Sequence, residues 1–90
     1  MNETGLHIQL RYFARLREQF GCDGEALELP AGVESVAGLI AHLAARGDVW
    51  ADELASHRVF RVAIDQDMAD LGTPLHAGAE VAIFPPVTGG

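Results

Sequence analysis

Leu6-His7-Ile8-Gln9-Leu10-Arg11-Tyr12-Phe13 is the stretch on which the fold turns. Leu6, Ile8, Leu10 and Tyr12 take every second position and His7, Gln9, Arg11 and Phe13 the positions between, the two-residue period of a strand with one buried face. Immediately after it, Leu16 and Phe20 sit four apart within Ala14–Phe20, enough for about a turn of helix before Gly21 breaks it. A second strand is predicted from Glu25 to Leu29, where Leu27 and Leu29 alternate with glutamates and Pro30-Ala31-Gly32 closes the run. These two strands suit an antiparallel pair.

Further along, Val36, Leu39, Ile40 and Leu43 fall at i, i+3, i+4 and i+7, so one apolar stripe predicts a helix from about Ser35 to Arg46. Ser35 is its expected N-cap, Arg46 suits the negative C-terminal end, and Gly47 suits a left-handed stop. Asp48–Leu54 predicts a short second helix with Trp50 and Leu54 facing inward. Phe60, Val62 and Ile64 alternate as the next strand, Asp65-Gln66-Asp67 reads as a turn, and Thr73-Pro74 and His76-Ala77-Gly78 mark two more. Val81-Ala82-Ile83-Phe84 is the last predicted strand. The main order is strand, strand, helix, strand, strand, a single α+β domain without repeat, linker or low-complexity segment.

Composition narrows the class. Ninety residues at 49% hydrophobic give one domain with a real core. With 13 Asp plus Glu against 6 Lys plus Arg, the formal charge is -7, which opposes nucleic-acid backbones and anionic membranes and favours a basic protein partner. The apolar runs fall short of a membrane span and Met1-Asn2-Glu3-Thr4 lacks the order of a secretion signal, so a cytoplasmic location is expected. Cys22, the one cysteine, reads as a passive thiol.

Strand parity carries a sharper clue. In the first strand Phe13 stands where a polar side chain is expected, and in the last strand inward Val81 and Ile83 leave Ala82 and Phe84 outward. If those two strands are neighbours, Phe13 and Phe84 share an exposed sheet face near the C-terminus, as at protein contacts. The alternative is that loops of the same domain cover both rings.

Catalytic and metal constellations are weak. His7, His42, His57 and His76 lie on different elements without paired ligand spacing, so no metal is implied. Asp65 and Asp67 sit in a turn, where carboxylates usually bond local amides, and no EF-hand register follows. The glycines build neither a Gly-Lys-Ser/Thr loop nor a Gly-x-Gly-x-x-Gly turn, so any ATP is expected on a partner. Arg11, Arg15 and Arg17 are outnumbered by acids and read as salt-bridging or docking groups.

The chain closes with Phe84-Pro85-Pro86-Val87-Thr88-Gly89-Gly90. Two prolines stiffen the base, and two glycines without Cβ can thread a slot too narrow for other residues. Gly90 then reads as a carboxylate to be modified by an external enzyme, which must first turn its oxygen into a leaving group. A frayed, inert end is the bland alternative.

Tyr12-Phe13-Ala14-Arg15-Leu16-Arg17-Glu18, the segment around Trp50, Val62-Ala63-Ile64-Asp65-Gln66, Thr73-Pro74-Leu75, Gly78–Ile83 and above all the Phe84–Gly90 ending resemble the small subunits of molybdopterin synthase, the MoaD type of ubiquitin-like sulfur carrier. The likeness spans nearly the whole chain. One departure is Asp65, where the family commonly has Asn. The resemblance implies a β-grasp (ubiquitin-like) fold, a mixed sheet packed on one main helix, with residues 1–84 as the domain and 85–90 as a flexible tail. It implies a non-catalytic, sulfur-carrying subunit whose Gly90 is adenylated with ATP by a ubiquitin-activating-like enzyme. A persulfide donor would then convert Gly90 to a thiocarboxylate. Pro85, Pro86, Val87, Thr88 and Gly89 would thread into the large synthase subunit, within a heterotetramer, to give sulfur to cyclic pyranopterin monophosphate for the dithiolene of the molybdenum cofactor. Contacts with the large subunit fall by resemblance on Phe13, Met68 and Phe84. Rival readings are a sulfur carrier for thiazole, cysteine or tRNA thiolation, a ubiquitin-like protein modifier, and an interaction module with an inert tail.

Overall fold

In the computed structural model the residues described are 4–55 and 59–86. The chain runs β1 (Thr4–Tyr12), α1 (Ala14–Phe20), β2 (Gly24–Pro30), α2 (Val36–Ala44), α3 (Asp48–Glu53), β3 (Arg61–Ile64), β4 (Asp67–Ala69) and β5 (Glu80–Phe84). The strands form one mixed sheet in the order β2-β1-β5-β3-β4. β1 pairs antiparallel with β2 and parallel with β5, and β3 runs antiparallel to both β5 and β4. The last strand therefore occupies the middle of the sheet, and the chain beyond it leaves from a well-anchored position.

The alternation in β1 becomes the core. Ile8, Leu10 and Tyr12 point inward with Leu29 of β2, Val81 and Ile83 of β5 and Val62 and Ile64 of β3, and the Val36, Leu39, Ile40 and Leu43 stripe of α2 covers them. Each such side chain taken out of water contributes about 1.5–3 kcal/mol. Ser35 caps α2 as expected, its Oγ accepting from the Gly38 amide at 3.2 Å. The sheet packed on one main helix, with α1 and α3 as short additions, is the β-grasp arrangement.

Three details depart from the sequence reading. α2 ends at Ala44, short of Arg46. Gly47 has φ 83° but ψ -174°, so it is not a left-handed stop; it is the N-cap of α3. The Arg46 guanidinium does not serve the helix end: it pairs with Glu25 of β2 at 2.8 Å and lies over the Trp50 ring at 4.3 Å. A further departure is β4, a fifth strand of only three residues. It follows a tight turn in which Asp65 and Gln66 both have positive φ, 51° and 74°, the geometry of the hairpin turns whose twist matches paired strands.

Candidate functional site

The register decides which side chains share the outward face of the sheet. Arg11 lies opposite Ala82, Ala82 opposite Ala63, and Ala63 opposite Met68, so these form one outward row across four strands. In the next row Phe84 lies opposite Arg61. Phe13 follows β1 and sets its ring edge-on to Phe84, with centroids 6.5 Å apart and planes at 82°. Phe13 is 41% exposed and Met68 65% exposed, while Phe84 is half-buried. Neighbouring first and last strands thus place Phe13 and Phe84 together at the root of the tail, as parity required, and Met68 stands on the same face.

The backbone helps turn Phe13 outward. Ala14, the first residue of α1, has φ 52°, an angle that costs a residue with a Cβ roughly 1–2 kcal/mol. The carbonyl of Phe13 accepts from the amides of Leu16 and Arg17. Phe13, Ala14, Ala82, Phe84, Pro85 and Pro86 together line an apolar groove of about 430 Å³. A smaller cleft of about 230 Å³, lined by Arg11, Phe13, Gln66, Glu80 and Ala82, adjoins it and shares Phe13 and Ala82. Another hollow of about 460 Å³ lies against α2, among Ala37, Ile40, Ala41, Leu54, Phe60 and Leu71, and among the described residues it includes neither Pro85 nor Pro86.

Polar groups brace this face. Arg11 pairs with Glu80 at 3.2 Å. One Asp65 oxygen accepts from the Glu80 amide at 3.0 Å, and the other lies 2.7 Å from His76 Nε2. The Glu80 amide first, and His76 next, hold the Asp65 carboxyl below its ordinary range; Asp65 in turn raises His76. Asp65 therefore bonds an amide fifteen residues away, not a local one. Behind the sheet, Tyr12 donates to Glu25 at 2.7 Å, and burial foremost, then that bond, pushes its phenol up. Glu53, buried, accepts from Arg15 through both oxygens. Sequence reasoning missed this carboxylate, because its partner lies 38 residues away and nothing local signals it.

Among the described residues no group of three His, Cys, Asp or Glu is placed to hold a metal ion, and no helix is long and apolar enough to cross a membrane. Val87, Thr88, Gly89, Gly90 and His57 lie outside the described residues. The class defined by this fold and face is a ubiquitin-like β-grasp domain with an exposed apolar face beside the root of a Gly-Gly tail. The chain belongs to the ThiS family, which matches it over residues 10–90. It is 41% identical over 83 residues to the molybdopterin synthase sulfur carrier subunit of Escherichia coli, covering 92% of this chain and 99% of that one. It is 37% identical, with the same coverage, to the corresponding subunit of Haemophilus influenzae. Among solved structures, a candidate molybdopterin converting factor subunit 1 from Pyrococcus furiosus superposes with a TM-score of 0.76 at 25% identity, over 92% of this chain and 100% of that one. Small archaeal modifier protein 1 of Haloferax volcanii does so at 0.66 and 30% identity, over 92% and 100%.

Proposed function

We propose that the chain is the sulfur carrier of a molybdopterin synthase, with Gly90 as the group that carries sulfur. The observation that supports this most is the edge-on Phe13–Phe84 pair exposed at the root of Pro85-Pro86, in a chain about 40% identical to curated carriers of that kind. In the cycle, the Gly90 carboxylate attacks the α-phosphorus of ATP on an activating enzyme, releasing pyrophosphate and leaving an acyl-adenylate. A donor persulfide attacks that carbonyl and expels AMP. A second thiol then cleaves the resulting acyl disulfide, so the thiocarboxylate leaves as its electron pair returns to sulfur. Sulfur passes from there to cyclic pyranopterin monophosphate in the large subunit, and water restores the carboxylate. Phe13, Met68 and Phe84 hold the large subunit, and residues 85–90 thread its pocket.

The tail suits that work. Six residues reach about 20 Å at most when extended. Ordering each costs roughly 1–2 kcal/mol, and more for glycine. The prolines reduce that cost at the base, and burial of the aromatic pair offsets the rest. This division assigns chemistry to the partner and affinity to the sheet.

Reconstitution with the large subunit, the precursor and an activating system tests the reading. The expected result is dithiolene formation that depends on an oxygen-to-sulfur mass increment at the C-terminus. The likeness to a Haloferax volcanii modifier supports a second reading, isopeptide attachment to protein lysines. This chain contains no lysine, so a modifier of this sequence would appear on other proteins, not as a lysine-linked ladder of itself. Mass analysis from native cells separates the two.

A further inference from the structure

All six basic residues of the chain are arginines, and their use is uneven. Arg11, Arg15 and Arg46 are paired with Glu80, Glu53 and Glu25 at 3.2, 2.9 and 2.8 Å. Arg17 lies in the last turn of α1, where a cation offsets the helix dipole. Arg58 is outside the described residues. Arg61, the first residue of β3, is exposed, and among the described residues no carboxylate lies within ion-pair distance of it.

Its position gives that free charge a meaning. Arg61 is the direct antiparallel partner of Phe84, and such opposed residues have Cβ atoms about 4.5–5.5 Å apart on one face. Phe84 is thus flanked by the Phe13 ring on the β1 side and by Arg61 on the β3 side. A partner that buries Phe84 also covers this guanidinium or its approach, and a cation stripped of water without a counter-charge is strongly unfavourable. The charge balance adds to this. A pocket that receives an anionic tail is basic, and an uncompensated Arg61 beside it would repel.

We propose that Arg61 is a specificity residue of the docking face, pairing with a carboxylate that the large subunit presents next to its Phe84-binding surface. The inference rests on the sulfur-carrier reading and deepens it. Across the interface the signs then alternate: anionic tail tip to cationic pocket, cationic Arg61 to anionic neighbour. Such an arrangement selects orientation and partner more than it adds raw affinity.

Calorimetry with the large subunit tests this, using variants whose circular dichroism matches the parent, at low and high salt. Arg61→Glu is expected to weaken binding about 10- to 100-fold at low salt, with the loss shrinking as screening increases. Arg61→Lys should stay within about threefold of the parent, and the double variant Ala31→Glu/Ala37→Glu, at two exposed positions away from the outward sheet face and with the same net charge as Arg61→Glu, should bind like the parent. Parent-like binding by Arg61→Glu, alongside weakened Phe84→Ala, overturns the role of Arg61 and leaves the docking face standing. Equal losses in Arg61→Glu and Ala31→Glu/Ala37→Glu also overturn it, since the effect would then be one of overall charge. If Phe84→Ala itself binds like the parent, the docking face falls and Arg61 with it.

Discussion

Phe84 spends part of its apolar surface on the Phe13 ring and leaves the rest at the mouth of the groove. A partially pre-packed aromatic loses little side-chain freedom when a partner covers it, which is the usual condition of an interface hot spot. Phe84→Ala is expected to weaken binding to the large subunit by about 1–3 kcal/mol. Smaller losses are expected for Phe13→Ala and Met68→Ala, the latter because an exposed, flexible methionine on the short strand β4 must be ordered on docking. Calorimetry on folded variants checks the order, and unchanged affinity in all three would remove this face as the interface. Ala14 offers a separate test. Its φ of 52° favours glycine, so Ala14→Gly should raise stability by about 1 kcal/mol. A lower melting temperature in that variant would mean that the alanine methyl in the groove matters more than the backbone angle.

At the scale of elements, the hairpin that carries Met68 is tied to the entry of β5 by Asp65, which accepts from the Glu80 amide and meets His76. The charged groups around this clasp are Asp65, Glu80 and, through Glu80, Arg11. His76 is raised, so its contribution is complete below its unfolded value of about 6.5 and is lost as pH rises through the higher folded value. Asp65 is lowered, so its contribution is present above about 3.9 and is lost as pH falls through the lower folded value. His76→Gln should therefore reduce the melting temperature more at pH 5 than at pH 9; a pH-independent difference would leave only a neutral hydrogen bond at this point. The same hairpin shows where legibility stopped. β1, β2, β5 and α2 were readable because their apolar periods run long enough to separate strand from helix. Phe13 and Phe84 were readable because they break that period. β4 has three residues, too few for an alternation, and its turn is Asp65-Gln66 without the glycine that usually marks positive φ. Arg46 looked like a helix-end cation, since its true partner Glu25 lies 21 residues back on another element.

For the whole molecule, β5 in the centre of the sheet means that the tail starts from a strand paired on both sides, so a partner pulling on Gly90 pulls against two ladders. The same topology brings Cys22, a rival seat for sulfur, to the tail-root end of the sheet: Gly24 pairs with Arg11, and Tyr12 with Ile83. β2 and β5 are two strand spacings apart, about 10 Å. Distance along the chain therefore does not dismiss Cys22; its environment argues against it. The thiol is half-buried against the core, and the Arg46 cation near it is already paired with Glu25, whereas a persulfide carrier needs an accessible, activated thiolate. On the proposed route the terminal carbonyl needs no such help once it is an acyl-adenylate, but it must reach the reacting atoms at a set length. Deleting Gly90, or adding one residue after it, shifts that carbonyl by about 3.3–3.6 Å, enough to leave a near-attack position. Both changes are expected to abolish sulfur transfer in the reconstituted system while the melting temperature stays that of the parent, because no core residue is touched. Cys22→Ser is expected to retain transfer, with the added sulfur mass confined to the C-terminal peptide. Full transfer by either tail variant, or sulfur found on Cys22 together with an inactive serine variant, would refute the thiocarboxylate route, because the sulfur would then travel on a group that the length of the tail does not position.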